Sequence, residues 1–455
     1  MSDSTRLGRA RGKMLPVAIV SAALVAMLAI APFASAASDP IASGTTTLTI
    51  NSGLSKKAKK AGIKITAVKP SKIKGKKATF AVTGGEILPS TGAGTITHSG
   101  GLKIKWGKKS VTLKSLTIST TGKSITAKLG GKTVKFASLA GTSSARLGFG
   151  ASVTAKKVRL TSAGAKALNQ KLTPPPTKTK VKKKNGKTVV KTVKTKPPFK
   201  ANMVLGASTS EVEPSTVVVA PTGSMTFTGD AGTLGKLAKA EVKIETIAPT
   251  TPSSATTFVS PLSGGTISPL GTSGQVNSSG GLKLVQNLAL PGIGQPNEST
   301  AITLANIGVD LAAKTAGVEV IGESNFKEPG TGKEPLKLGN LGRSSIADIT
   351  FTTSPSPATR TVTVNATGTV QAVAAEVLNG FIKVHSIKKI EELTPDEAKK
   401  AAEEAFIKEG KVLTEDEAKA IGQKRAEEKA GAEVKELEIK AGEPLGSFSF
   451  IATGE

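Results

Sequence analysis

The chain has 455 residues and a net charge of +29, with no Cys, no Tyr, two His and one Trp. The missing cysteines exclude disulfides, thiol catalysis and thiolate metal sites, and two isolated imidazoles argue against structural zinc. Aromatics make up 3% of the residues, so any core is expected to be aliphatic, and the length beyond the leader calls for two or three domains of about 100 to 200 residues each.

Residues 1–36 read as a secretory signal. Arg6, Arg9, Arg11 and Lys13 precede an uncharged run from Leu15 to Phe33, and Ala34-Ser35-Ala36 supplies the small residues for cleavage after Ala36. The competing reading is an anchor helix, because the run nears the roughly 18 residues that cross a bilayer. Pro16 and Pro32 bracket the run and weigh towards the cleaved form. No Arg-Arg pair supports a twin-arginine route, no Cys supports a lipid anchor, and the Phe448–Ala452 end carries no second apolar span. The mature chain is thus expected to be secreted, with no transmembrane anchor.

Residues 42–172 form the first expected module, mainly β. In Leu102-Lys103-Ile104-Lys105-Trp106 every second residue is apolar, and Gly107 turns the chain towards Val111, Leu113 and Leu116. Ile125, Ala127 and Leu129 face Val134 and Phe136 across Gly130-Gly131, a two-residue hairpin turn. Short strands between glycine turns predict a β-sandwich-like module with one apolar face and one studded with Lys. This module holds 25 Lys and Arg against one acid, Glu86.

Residues 173–200, TPPPTKTKVKKKNGKTVVKTVKTKPPFK, carry 10 Lys and no acid between proline clusters and read as a semi-extended linker. A second β module is expected over 201–383. Residues 384–440 then turn acidic and helical, with capping boxes at Thr394-Pro395-Asp396-Glu397 and Thr414-Glu415-Asp416-Glu417. Helices near 395–409 and 415–430, flanked by strands at Ile387–Ile390 and Val434–Ile439, would make a β-α-α-β insertion. Residues 441–455 would supply the closing strand of the second module. From Ala201 onward the chain holds 23 basic and 30 acidic residues, so its two halves differ in sign.

The two modules are diverged copies. Gly84-Gly85, Pro89, Gly94, Ile96 and Ser99-Gly100-Gly101-Leu102-Lys103 recur 180 positions on as Gly264-Gly265, Pro269, Gly274, Val276 and Ser279-Gly280-Gly281-Leu282-Lys283. Thr47-Leu48-Thr49 matches Thr226-Phe227-Thr228, and Leu168-Asn169 matches Leu378-Asn379 in an Ala-rich helix near each copy's end.

The GTITHSGGLKI and GQVNSSGGLKL segments, with the final strands and helix of each copy, resemble the HtaA domain of actinobacterial cell-surface proteins. The resemblance covers nearly all of both copies, apart from the linker and the helical insertion. It implies a secreted or wall-associated β module, often duplicated, in a family whose characterised members bind haem through a tyrosinate supported by a nearby His. With no Tyr in the chain, and with Trp106-Gly107 standing near where that His falls, the haem site does not carry over with the fold. Haem therefore stands as a cofactor by family resemblance only.

Among candidate ligand residues, His98 is the one potential iron ligand in the repeated core. The second copy has Ser278 there, and the plainer reading is a polar strand residue beside a turn. His385 has no neighbour at ligand spacing. Trp106 could form a platform for a flat ligand, but its phase matches Leu102 and Ile104, which places it in the core. Leu88-Pro89-Ser90-Thr91-Gly92 matches a sortase pattern, yet it lies mid-module where a repeat turn is expected. With no base beside a nucleophile, no Gly-x-Ser-x-Gly elbow and no paired carboxylates in the first copy, an enzyme is not expected. Lys56, Lys57, Lys59, Lys60, Lys103 and Lys105, with Lys182, Lys183 and Lys184 of the linker, are the candidate contacts for extracellular polyanions such as acidic wall polymers. The plainer reading is a charged surface that keeps the protein soluble. Base-specific nucleic-acid readout is not expected with so few aromatics.

Overall fold

The structure, a computed structural model, describes residues 38–173, 177–182, 188–193, 197–287, 299–324 and 339–455. The expected signal segment with Ala36, and the linker lysines Lys183 and Lys184, lie outside the described residues. No helix among the described residues is long and apolar enough to cross a membrane.

The fold is mainly β, with two modules of matching element order. The first runs β1 (Asp39–Ile50), α1 (Ser52–Lys60), β2 (Ile63–Val68), β3 (Lys72–Lys74), β4 (Lys77–Leu88), β5 (Ala93–His98), β6 (Gly101–Trp106), β7 (Lys109–Ser119), β8 (Ser124–Leu129), β9 (Lys132–Leu147), β10 (Gly150–Leu160) and α2 (Ser162–Leu172). A hairpin of β11 (Thr177–Lys182) and β12 (Thr188–Val193) follows, then β13 (Val204–Pro214). The second runs β14 (Val217–Val219), β15 (Ser224–Gly229), α3 (Ala231–Lys239), β16 (Val242–Ile247), β17 (Thr251–Pro252), β18 (Thr257–Ile267), β19 (Gly274–Ser278), β20 (Gly281–Asn287), β21 (Ser299–Asp310), β22 (Thr315–Ser324), β23 (Asn340–Ser356), β24 (Thr361–Val370), α4 (Ala372–Glu409), α5 (Glu415–Leu437) and β25 (Pro444–Thr453).

Each sheet closes on itself. In the first, the order β7-β5-β4-β1-β13-β10-β9-β8 returns to β7. In the second, β21-β19-β18-β15-β25-β24-β23-β22 returns to β21. The expected sandwich is therefore a closed ring in each copy, whose interior buries the alternate aliphatic residues. Outside the ring, β2 extends β6 in the first module and β16 extends β20 in the second, forming a two-strand flange.

The repeated Ser-Gly-Gly has a backbone cause. Gly100 and Gly280 have φ of +78° and +82°, and a Cβ on either would lie 2.8 and 2.7 Å from the Val68 and Ile247 carbonyls. A Cβ on Gly101 or Gly281 would strike the Leu113 or Leu304 carbonyl, at 1.8 and 2.1 Å. The motif thus brings the flange strand close to its neighbour and is structural.

Two sequence expectations change. Val204–Pro214 pairs with β1 and β10, so it closes the first ring, and the boundary expected at 201 falls after Pro214. The expected linker is an insertion within the first module, and part of it forms the β11–β12 hairpin. It sits where the second copy carries its helical insertion, between the last helix and the closing strand. That helical insertion has no flanking strands: Ile387–Ile390 continues α4, and Val434–Leu437 ends α5. Thr394 does not begin a helix but donates its hydroxyl to the Ile390 carbonyl at 2.6 Å, with Pro395 inside α4. The Thr414–Glu417 capping box forms as expected, after Gly410 ends α4 in a left-handed conformation.

The Leu-Asn shared by the terminal helices of the two copies pins the chain as it returns from these insertions. Asn169 exchanges two hydrogen bonds with the Phe199 backbone at 2.7 and 3.2 Å, and Asn379 does the same with Ile439 at 2.8 and 2.9 Å.

The modules meet at a buried junction. Phe149, at the tip of the β9–β10 hairpin, packs in the second core, a burial that contributes about 1.5 to 3 kcal/mol. Arg360, from the β23–β24 turn, pairs with Asp39 and hydrogen-bonds to the Glu455 carbonyl and, at 3.3 Å, to that of Phe149. Asp39 also accepts from the Val218 amide at 3.0 Å.

Candidate functional site

The same hollow recurs in both modules, between the flange, the first helix and the last helix. In the second module it is lined by residues including Leu237, Ile244, Leu282, Leu284, Val320 and Leu378, and among the described residues no titratable side chain lines it. Leu341 and Val373 stand at its mouth, 49% and 54% exposed. Thr233, one of its polar residues, spends its hydroxyl on the Pro444 carbonyl at 2.7 Å. In the first module the matching groove is lined by Ile65, Leu102, Ile104 and Leu168, with Lys57 of α1 among its walls.

The helices that form these walls are fixed by their N-caps. Asn51 accepts from the Leu54 amide at 3.0 Å and Asp230 from the Thr233 amide at 2.9 Å. The caps set which faces of α1 and α3 turn inward, placing Ala58 and Leu237 against their cores.

His98 lies inside the first ring with both ring nitrogens committed. Nδ1 must donate to the Leu116 carbonyl at 2.9 Å, so Nε2 accepts from the Thr46 hydroxyl at 2.6 Å, and Thr46 in turn accepts from Ser210 at 2.7 Å. Burial pushes the imidazole below its ordinary value, and the hydrogen bond to Leu116 opposes that shift. Phe80 packs against it edge-on at 6.4 Å. The matching positions of the second ring are Met225, Phe450 and Ser278, all buried, and Ser278 donates to Ile307 as His98 does to Leu116. His385 is buried on α4, with Glu433 at 3.4 Å.

Trp106 is half-buried at the end of β6 beside Ile63, and packs against the first core. Lys56, Lys57, Lys59, Lys60, Lys103 and Lys105 are all exposed on α1 and β6, while Lys182 ends β11. Sequence reading missed that lysines of this module face one another across strands. Lys64 lies opposite Lys105, Lys74 opposite Lys77, and Lys114 opposite Lys128. Like charges directly across a sheet repel, and among the described residues no lysine of the first module forms an ion pair. The alternation that placed these residues outward was legible, but the register that opposes them was not. At Leu88–Gly92 the Leu88 carbonyl accepts the Thr91 and Gly92 amides at 3.2 and 2.7 Å, forming the β4–β5 turn.

Ring, flange and hollow define a duplicated β-barrel module with an apolar recess. Among solved structures, the chain is similar to the C-terminal domain of HtaA from Corynebacterium glutamicum, at 11% identity and a TM-score of 0.27 over 38% of this chain and 98% of that one. It is also similar to the heme binding protein HtaB from Corynebacterium glutamicum, at 12% identity and a TM-score of 0.28 over 53% of this chain and 95% of that one. No family's sequence model and no curated protein matches the chain.

The chain's own residues do not fit haem iron. There is no Tyr, His98 has no free ring nitrogen, His385 lines neither recess, and among the described residues no titratable group lines the second recess.

Proposed function

We propose that the protein is a secreted, cell-envelope-associated, non-catalytic HtaA-like binding protein that captures a small apolar ligand in the recess of its second module. The observation that carries this reading is the apolar lining of that recess, in which no described residue is titratable, together with its exposed apolar mouth at Leu341 and Val373. Haem enters as one member of this apolar class, contacted through its ring and without a protein ligand to iron. Titrating the full chain with the neutral fluorophore N-phenyl-1-naphthylamine should give saturable enhancement, and Val373→Trp should weaken it at least about tenfold. Equal binding by this variant would refute the assignment. Hemin should show no ligand-type Soret shift, and a shifted band lost in His98→Ala would overturn the iron-free reading.

A second reading rests on the three cross-strand lysine pairs of the first module. Polyanionic wall polymers would relieve their repulsion and hold the chain at the envelope by counterion release. Retention on isolated cell walls should then fall steeply with salt.

A further inference from the structure

We propose that the groove of the first module is a separate binding site for a long-chain aliphatic carboxylate, its tail against Ile65, Leu102, Ile104 and Leu168 and its carboxylate met by Lys57. One lysine stands at the same place in both copies but in different company. Asn51 and Asp230 cap α1 and α3 at matching positions, so Lys57 and Lys236 both stand six residues beyond the cap. In the second module Lys236 is neutralised: its ammonium lies 2.8 and 2.9 Å from the two Glu443 carboxylate oxygens and 2.7 Å from the Glu438 carbonyl.

The residue matching Glu443 follows from the backbone. The Glu443 carbonyl accepts the Val370 amide at the end of β24, and the Met203 carbonyl accepts the Leu160 amide at the end of β10. Methionine thus replaces the neutralising glutamate. The exchange leaves the ammonium without an acid among the described residues and adds an adaptable apolar side chain to the groove, where Met203 joins Lys57 in the lining. The cation has an apolar wall on one side, and its module, from Asp39 to Pro214, sets four acids (Asp39, Glu86, Glu211 and Glu213) against 35 Lys and Arg.

A groove of apolar walls, mostly aliphatic with Phe136 and Phe199, and with one cation that has no acid partner among the described residues, complements an amphiphile with a flexible hydrocarbon tail and one negative charge. A free fatty acid has that chemistry. This site goes beyond the capture proposed for the second module, and neither depends on the other.

The test uses the full chain carrying Val373→Trp, which closes the second recess, titrated with cis-parinaric acid at pH 8. Saturable fluorescence is expected, weakened about tenfold by Lys57→Met and to a similar degree by Met203→Glu, which restores the second module's neutralising pair. Oleyl alcohol, the uncharged analogue of oleate, should displace the probe equally well from Lys57→Met and from the parent. Loss of all binding on Val373→Trp would overturn this site while leaving the second-module reading intact. Equal affinity of Lys57→Met and the parent for parinarate would overturn the role of the charge. Lys57-dependent partition onto phosphatidylglycerol vesicles, without binding of the free acid, would assign the cation to a lipid headgroup and refute the fatty-acid site.

Discussion

The two rings share strand order and closure, yet their interiors and surfaces have diverged in opposite directions. The first buries a chain of hydrogen bonds, Ser210 to Thr46 to His98 to Leu116, beneath an almost wholly cationic exterior. The second fills the same interior positions with Met225, Phe450 and Ser278 and pairs many of its exterior lysines with acids. The scaffold is thus specified by elements common to both copies, namely the paired glycines, the Leu-Asn helix and the closing strand. Charge and pocket chemistry vary without disturbing it.

The largest effect should come from the junction, which the two rings share. Arg360→Leu leaves Asp39 buried without its partner, and loss of one member of a buried pair costs about 3 to 5 kcal/mol. Chemical denaturation should then resolve two transitions where the parent shows one. Replacing Asp39 with Leu as well should recover much of the loss.

Next in size are the asparagine clamps. Asn169→Ala and Asn379→Ala each strand two backbone groups, at a cost of about 2 kcal/mol. Similar losses in the two variants would establish that both rings are closed by one device, whereas a large effect in one alone would separate them.

His98 gives the first ring a pH response that the second lacks. Its folded value lies below the ordinary 6.5, so below that pH the unfolded chain binds more protons than the folded one. Stability therefore falls as pH drops from 6.5 towards the depressed value and is retained above it. Thermal melting across this window should show the decline, and His98→Ser, the second copy's residue, should flatten it. The smallest effect is at the flange. Lys105→Thr removes the repulsion with Lys64 and should raise stability by about 0.5 kcal/mol at low salt, with no gain at high salt.

The repeat itself was legible because glycines that must approach a neighbouring backbone cannot be exchanged, so Ser-Gly-Gly-Leu-Lys persists at a fixed offset. Alternation likewise identified Leu102 and Ile104 as inward-facing. The role of residues 173–200 was not legible, since proline and lysine describe an exposed segment equally well between domains or within one. What decides between those is the pairing of Thr46 with Ser210, a long-range contact no local pattern carries. Val434–Leu437 alternates like a strand, but continuing helix satisfies its backbone groups within the segment. Lys57 was visible as one basic residue among many. Its distinction emerges only once Met203 is matched to Glu443, and that match depends on removing two insertions of unequal length and kind.

The late position of the closing strands also governs how the molecule must assemble. β1 and β10 flank the gap that β13 fills, and Thr46 meets Ser210 across 164 residues of chain. As the chain is synthesised from its N-terminus, the first ring stays open at both of these strands until the lysine-rich hairpin has passed, and the second stays open until β25 has emerged. Such contacts favour slow folding, and the waiting edges can recruit a strand from another molecule. The lysines of the hairpin, with Lys156, Lys157 and Arg159 of β10, would hold neighbouring chains apart during that wait.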